Sequence, residues 1–142
     1  MARTEKSQAR QRRIALVMGL EGATLVAMVL LHLTSSLGAG LKSFSAPDAG
    51  VAEAVIGIVL VYGAVRLMRG APRARGVAIA STAFAIVGFI IGLGASLRGA
   101  DAIDIAYHAT MLPLLALTLR ALVHRAAPGK STPLNQLERS LT

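Results

Sequence analysis

The stretch "RLMRGAPRARG", residues 66–76, holds four arginines, two glycines and a proline, and no acid. Gly70 and Pro72 punctuate it, so a helix arriving from one side stops here and another begins on the other. The flanks are apolar for about 20 residues each, 49–68 before it and 76–95 after it, which is the length needed to cross a bilayer core. Two more such runs lie further out, 14–33 and 103–123. The chain therefore reads as all-α, an integral membrane four-helix bundle. A basic segment, 1–13, precedes the four-span domain, 14–125, and a tail, 126–142, follows it.

Composition agrees. Of 142 residues, 54% are apolar, 15% charged and 4% aromatic, whereas soluble domains carry about a quarter charged residues. The lipid bilayer is the solvent this surface fits. With no cysteine, disulfides and thiolate metal sites are excluded. The net charge of +8 would suit nucleic acid if it lined one folded face, but the basic residues are confined to the segments between apolar runs, which argues against that partner.

Their distribution sets an orientation. Residues 1–13 carry Arg3, Lys6, Arg10, Arg12 and Arg13 against Glu5, and the 66–76 connection carries Arg66, Arg69, Arg73 and Arg75 unopposed. From Arg120 onward the chain has four basic residues against Glu138. The other two connections nearly balance, with Lys42 against Asp48, and Arg98 against Asp101 and Asp104. Lysine and arginine accumulate on the cytoplasmic side, so both termini and the 66–76 loop are expected there, in the inner (plasma) membrane. The first run is too long for a secretory signal core and contains Glu21, so it reads as an uncleaved span.

Small residues favour close helix contacts in lipid. Gly88 and Gly92, with Ser96 a turn later, form such a stripe in the third span, and Gly57 and Ala64 form one in the second, which predicts that these two helices meet closely. In the tail, Thr132 and Pro133 suit a helix start, with Leu134, Leu137 and Leu141 on one face.

Ionisable residues inside spans are costly and point to function. Here they are Glu21, His32, Glu53 and His108, with Asp104 at a border; His124 lies among arginines at a span end, where snorkelling accounts for it. With alternating span directions, His32, Glu53 and His108 fall within about 6 Å of one another in depth, in the outer leaflet. Asp104 and His108 are four residues apart, hence on one face, so the carboxylate can orient the imidazole. Pro113 frees the carbonyl of Ala109 and is expected to bend the fourth helix. Glu21, Met28 and His32 share one stripe of the first span, flanked by Thr24 and Ser35. Glu21 sits about 10 Å in from the cytoplasmic end, too deep to pair with the outer layer directly.

Three functional readings follow. In the first, His32, Glu53, His108 and Asp104 form a ligand-binding pocket, with a quinone headgroup as the leading occupant; a metal held by His32, Glu53 and His108 ranks lower. Haem ranks below that, because no aromatic pocket surrounds the histidines. In the second, Glu21 is the coupling carboxylate of a small proton-driven transporter. The small multidrug resistance proteins are similar in size and span number, but their aromatic-rich helices have no counterpart here. In the third, the polar residues pin the bundle of an accessory subunit that works with a membrane protein partner or as a homo-oligomer. No nucleophile with a base, phosphate loop or dinucleotide fingerprint is present, which argues against independent catalysis.

The second span, "VAEAVIGIVLVYGAVRL", residues 51–67, resembles the corresponding helix of the DoxX-like family, in which an Ala-Glu pair precedes a Gly-rich apolar helix. The resemblance implies a four-span membrane subunit linked to quinone-dependent oxidation and carries over one residue, Glu53. The first span lacks the family's arginine and Gly-Lys pattern, and the tail lacks its usual ending.

Overall fold

A computed structural model describes residues 2–36, 47–99 and 102–124. They form four helices: α1, Ala2–Ser36; α2, Pro47–Met68; α3, Ala74–Gly99; and α4, Ala102–Val123. All four are long and apolar enough to cross a membrane. Residues 37–46 and the 126–142 tail, with its expected helix start at Thr132, lie outside the described residues.

The basic segment is not a separate extension. Residues 2–18 contain neither glycine nor proline and are rich in Ala, Arg, Gln, Glu and Lys, which are strong helix formers, so α1 runs unbroken from Ala2 for 35 residues. At 1.5 Å per residue it is about 52 Å long, well beyond the roughly 30 Å bilayer core. The charged first turns therefore project past the apolar slab. The other helices also begin one or two residues before the sequence-expected spans, and α4 continues through Pro113 as one helix.

The turn between α2 and α3 explains its own sequence. Gly70 has φ of 60°; its N–H donates to Leu67 O at 3.2 Å and that of Ala71 to Arg66 O at 3.3 Å. This is the Schellman pairing, which needs a left-handed residue that glycine supplies without a Cβ penalty. Pro72 follows, and its carbonyl accepts from Arg66 Nη2 at 2.9 Å. Arg73, also left-handed at φ 58°, offers its carbonyl to the Val77 N–H at 3.1 Å to start α3.

Neighbouring helices run antiparallel and pack in chain order. Gly22 of α1 lies against Val61 and Gly57 of α2, Ile56 of α2 against Gly88 of α3, and Gly92 of α3 against His108 of α4. The expected small-residue seam between α2 and α3 is thus corrected in detail. Gly57 faces α1, where an added Cβ would stand 3.3 Å from Leu25 Cβ. Gly88 and Gly92 divide between α2 and α4, since four residues advance a helix 40° beyond a full turn and turn the second glycine toward the next neighbour. The core is apolar, with Met18, Leu25, Leu60, Phe89 and Leu115 fully buried. Outward the bundle shows Leu20, Ile58 and Ile91, each about two-thirds exposed or more (68%, 70% and 67%). An apolar outside over an apolar inside is what lipid permits and water does not.

At the arginine end, two of the residues that signal orientation also bond to the last turn of α4. Arg10 Nη2 donates to Ala121 O at 2.7 Å and His124 O at 2.9 Å. Arg75 donates through Nε to Leu122 O at 2.7 Å and through Nη2 to Val123 O at 2.8 Å. The four terminal carbonyls that a helix leaves without intrahelical donors are satisfied from α1 and α3, by cations at the end where the helix dipole favours them.

Candidate functional site

The opposite end of the bundle gathers the ionisable residues. α1 brings His32 near its C-terminus, α2 brings Glu53 two turns into its own start, and α4 brings Asp104 and His108 in its first two turns. His32, Glu53 and His108 are buried, at 4%, 6% and 7% exposure, while Asp104 is half-buried. His32 Nε2 stands 3.4 Å from Glu53 Oε2. One donor atom each from His32, Glu53 and Asp104 lie within 4.8 Å of one another.

Asp104 is held from two sides. Ser96 of α3 makes a short hydrogen bond to Asp104 Oδ2, and its hydroxyl also lies 2.9 Å from Gly92 O. His108 Nδ1 is 2.9 Å from the Asp104 carbonyl and 3.2 Å from Asp104 Oδ1. Two acceptors at Nδ1 place its proton there. His108 Nε2 faces the backbone of α3 at Gly92, so closely that a Cβ on that residue would collide with it. The ring is braced by Phe89, centroids 5.1 Å apart, and Tyr107, 5.8 Å.

This geometry gathers a different donor set from the lower-ranked His32, Glu53 and His108 weighed from the sequence. The donors that converge are His32, Glu53 and Asp104. His108 packs its Nε2 against Gly92 of α3 and turns its Nδ1 to Asp104. Equal depth alone could not reveal this, since it says nothing of where each helix is rotated.

Glu21 sits apart from this cluster. It is 4% exposed, and its Oε1 accepts a hydrogen bond from Thr118 of α4 at 2.8 Å. Its Oε2 has no hydrogen-bond partner among the described residues. Between Glu21 and this cluster, Thr24 Oγ1 donates to the Glu21 carbonyl at 2.8 Å and lies 3.1 Å from Tyr107 Oη. Thr24 of α1 and Tyr107 of α4 thus meet at a height between the two. Met28, expected on the same stripe, is half-buried.

Thr118 and Tyr107 escaped the sequence reading, and Ser96 entered it only as part of the packing stripe with Gly88 and Gly92. For Thr118 the available signal was heptad-like spacing along α4: its buried residues are His108, Met111, Leu115, Thr118 and Leu122, alternating steps of three and four that mark one inward stripe. Extended back by four, the stripe reaches Asp104.

Comparison of the chain with models of known families, with curated proteins and with solved structures gives no match.

Proposed function

We propose that this small multi-pass membrane protein is a membrane subunit that binds a ligand in the polar pocket formed by His32, Glu53, Asp104 and His108. One observation carries the reading: four ionisable side chains from three helices meet at one end of an otherwise apolar bundle, three of them at or below 7% exposure. Pinning alone is a poor return for burying them, because interhelical hydrogen bonds in membranes contribute only about 0.6 kcal/mol each on average, whereas an ionisable side chain within a span costs about 3 kcal/mol on insertion scales. The arginine distribution supports cytoplasmic termini in a bacterial inner membrane, with the pocket in the outer leaflet. The DoxX-like character of residues 51–67 supports a quinone-linked role beside a membrane partner, with Glu53 shared.

The test is titration of the detergent-purified protein with a quinone analogue. Saturable binding that weakens at least tenfold in His108→Ala is expected; equal binding in both proteins, or none, refutes the pocket.

A second reading, proton-coupled transport through Glu21, is favoured by the burial of a carboxyl group with a single hydrogen-bonded oxygen in mid-span. It requires substrate-induced proton release that disappears in Glu21→Gln, and release persisting in that variant rules it out.

A further inference from the structure

We infer that His32, Glu53 and Asp104 hold a divalent transition-metal cation of the zinc, iron(II) or manganese class. The inference rests on the pocket reading above and names an occupant for it.

The donors fit in kind, number and spacing. One imidazole nitrogen and two carboxylate oxygens make a borderline-to-hard set, which suits these ions and not a soft one such as copper(I); the chain offers no thiolate. Metal–ligand bonds of about 2.1 Å in a tetrahedral site put neighbouring donors about 3.4 Å apart. His32 Nε2 and Glu53 Oε2 are separated by 3.4 Å, which matches that spacing. All three donors lie within 4.8 Å, so side-chain shifts of about an ångström close the set around an ion, with solvent or a ligand completing the coordination.

Charge points the same way. Two carboxylates this close inside an apolar bundle repel one another, and a dication between them leaves the assembly neutral. The support around Asp104 is what metal ligands require: Ser96 bonds Oδ2 and His108 Nδ1 approaches Oδ1, fixing the carboxylate from outside the donor set. The Asp104 side chain is 18% exposed, against 5% and 8% for His32 and Glu53, so Asp104 is the donor nearest the surface and the one an entering ion meets first.

The full chain in detergent, stripped with a chelator and desalted, should be equilibrated with zinc and, separately, with cobalt(II). One ion retained per chain and cobalt d–d bands in the visible spectrum are expected. Both should be lost in His32→Ala and Glu53→Gln, weakened at least tenfold in Ser96→Ala, and kept in Glu5→Gln, which removes an exposed carboxylate elsewhere. Helicity measured on every variant separates loss of metal from loss of fold. Wild-type protein that retains no metal overturns the inference, as does uptake unchanged in Glu53→Gln variants that fold normally. If metal is not retained while a quinone analogue still binds in a His108-dependent way, the cation falls and the pocket stands; if neither binds, both fall.

Discussion

Replacing Thr118 with valine isolates the energetics of a buried carboxyl group in this bundle. The two side chains have nearly the same shape, so the change removes the 2.8 Å hydrogen bond to Glu21 Oε1 while largely preserving packing. Glu21 is 4% exposed and its other oxygen already has no hydrogen-bond partner among the described residues, so the variant leaves both oxygens without one. A hydrogen bond to a charged group is worth about 1.5–3 kcal/mol in soluble proteins. In membranes the average is nearer 0.6 kcal/mol and the upper end about 1.7, because the separated helices also find partners. Glu21 belongs at that upper end, since a carboxyl group in an apolar stripe has few alternatives. The expected loss is therefore about 1.5 kcal/mol, roughly a tenfold fall in the folding equilibrium.

Reversible unfolding in mixed micelles, followed by circular dichroism, measures that loss. The companion variants decide its cause. Glu21→Leu in the Thr118→Val background removes the stranded group and should recover most of the stability, because replacing both partners with apolar groups is close to neutral whereas orphaning one is not. A Thr118→Val loss below about 0.5 kcal/mol, or a double variant no more stable than Thr118→Val alone, refutes the reasoning.

Other expectations are local. Gly92→Ala should move the His108 imidazole resonances by NMR, because the added methyl enters the space of Nε2; Gly94→Ala, whose Cβ would meet nothing within 4 Å, should leave them in place, and equal behaviour of the two would contradict the close approach. Arg75→Gln strips two carbonyl caps from α4 and should speed hydrogen exchange in its last turn by about fivefold, corresponding to about 1 kcal/mol. Arg10→Gln should do less, since Arg10 is exposed and Arg75 half-buried; unchanged exchange in both would show that the caps contribute nothing. The chain has no cysteine, so single cysteines report topology cleanly: with cytoplasmic termini, an impermeant thiol reagent outside intact cells should label Ala102→Cys and spare Pro72→Cys. The opposite pattern reverses the orientation.

Much of the architecture was readable in one dimension because lipid imposes a one-dimensional rule. Backbone groups in the apolar slab must bond within their own segment, so four apolar runs of about 20 residues mean four helices, whatever their packing. The break at Gly70 and Pro72 was equally local, since a Schellman turn depends on a few neighbouring residues. Depth was also legible, because rise per residue converts position into height; hence His32, Glu53 and His108 could be assigned to one layer.

Rotation and lateral position were not. Whether His108 or Asp104 presents its side chain to His32 and Glu53 depends on how α4 is turned against α3, where His108 packs against Gly92. The partner of Glu21 depended likewise on α4 passing beside α1, which no local pattern in α1 records. Arg10 and Arg75 read as charges in a linear chain, and only the folded bundle makes them caps on a helix more than 40 residues away in sequence. The sequence by itself determined the number of helices, the height of each polar residue and the places where charge collects, because those follow from chain-local geometry in an apolar solvent. Tertiary structure alone decided which polar groups touch, because contacts between helices depend on rotation about their axes, and a few tens of degrees separate a donor facing the site from one facing a neighbouring backbone.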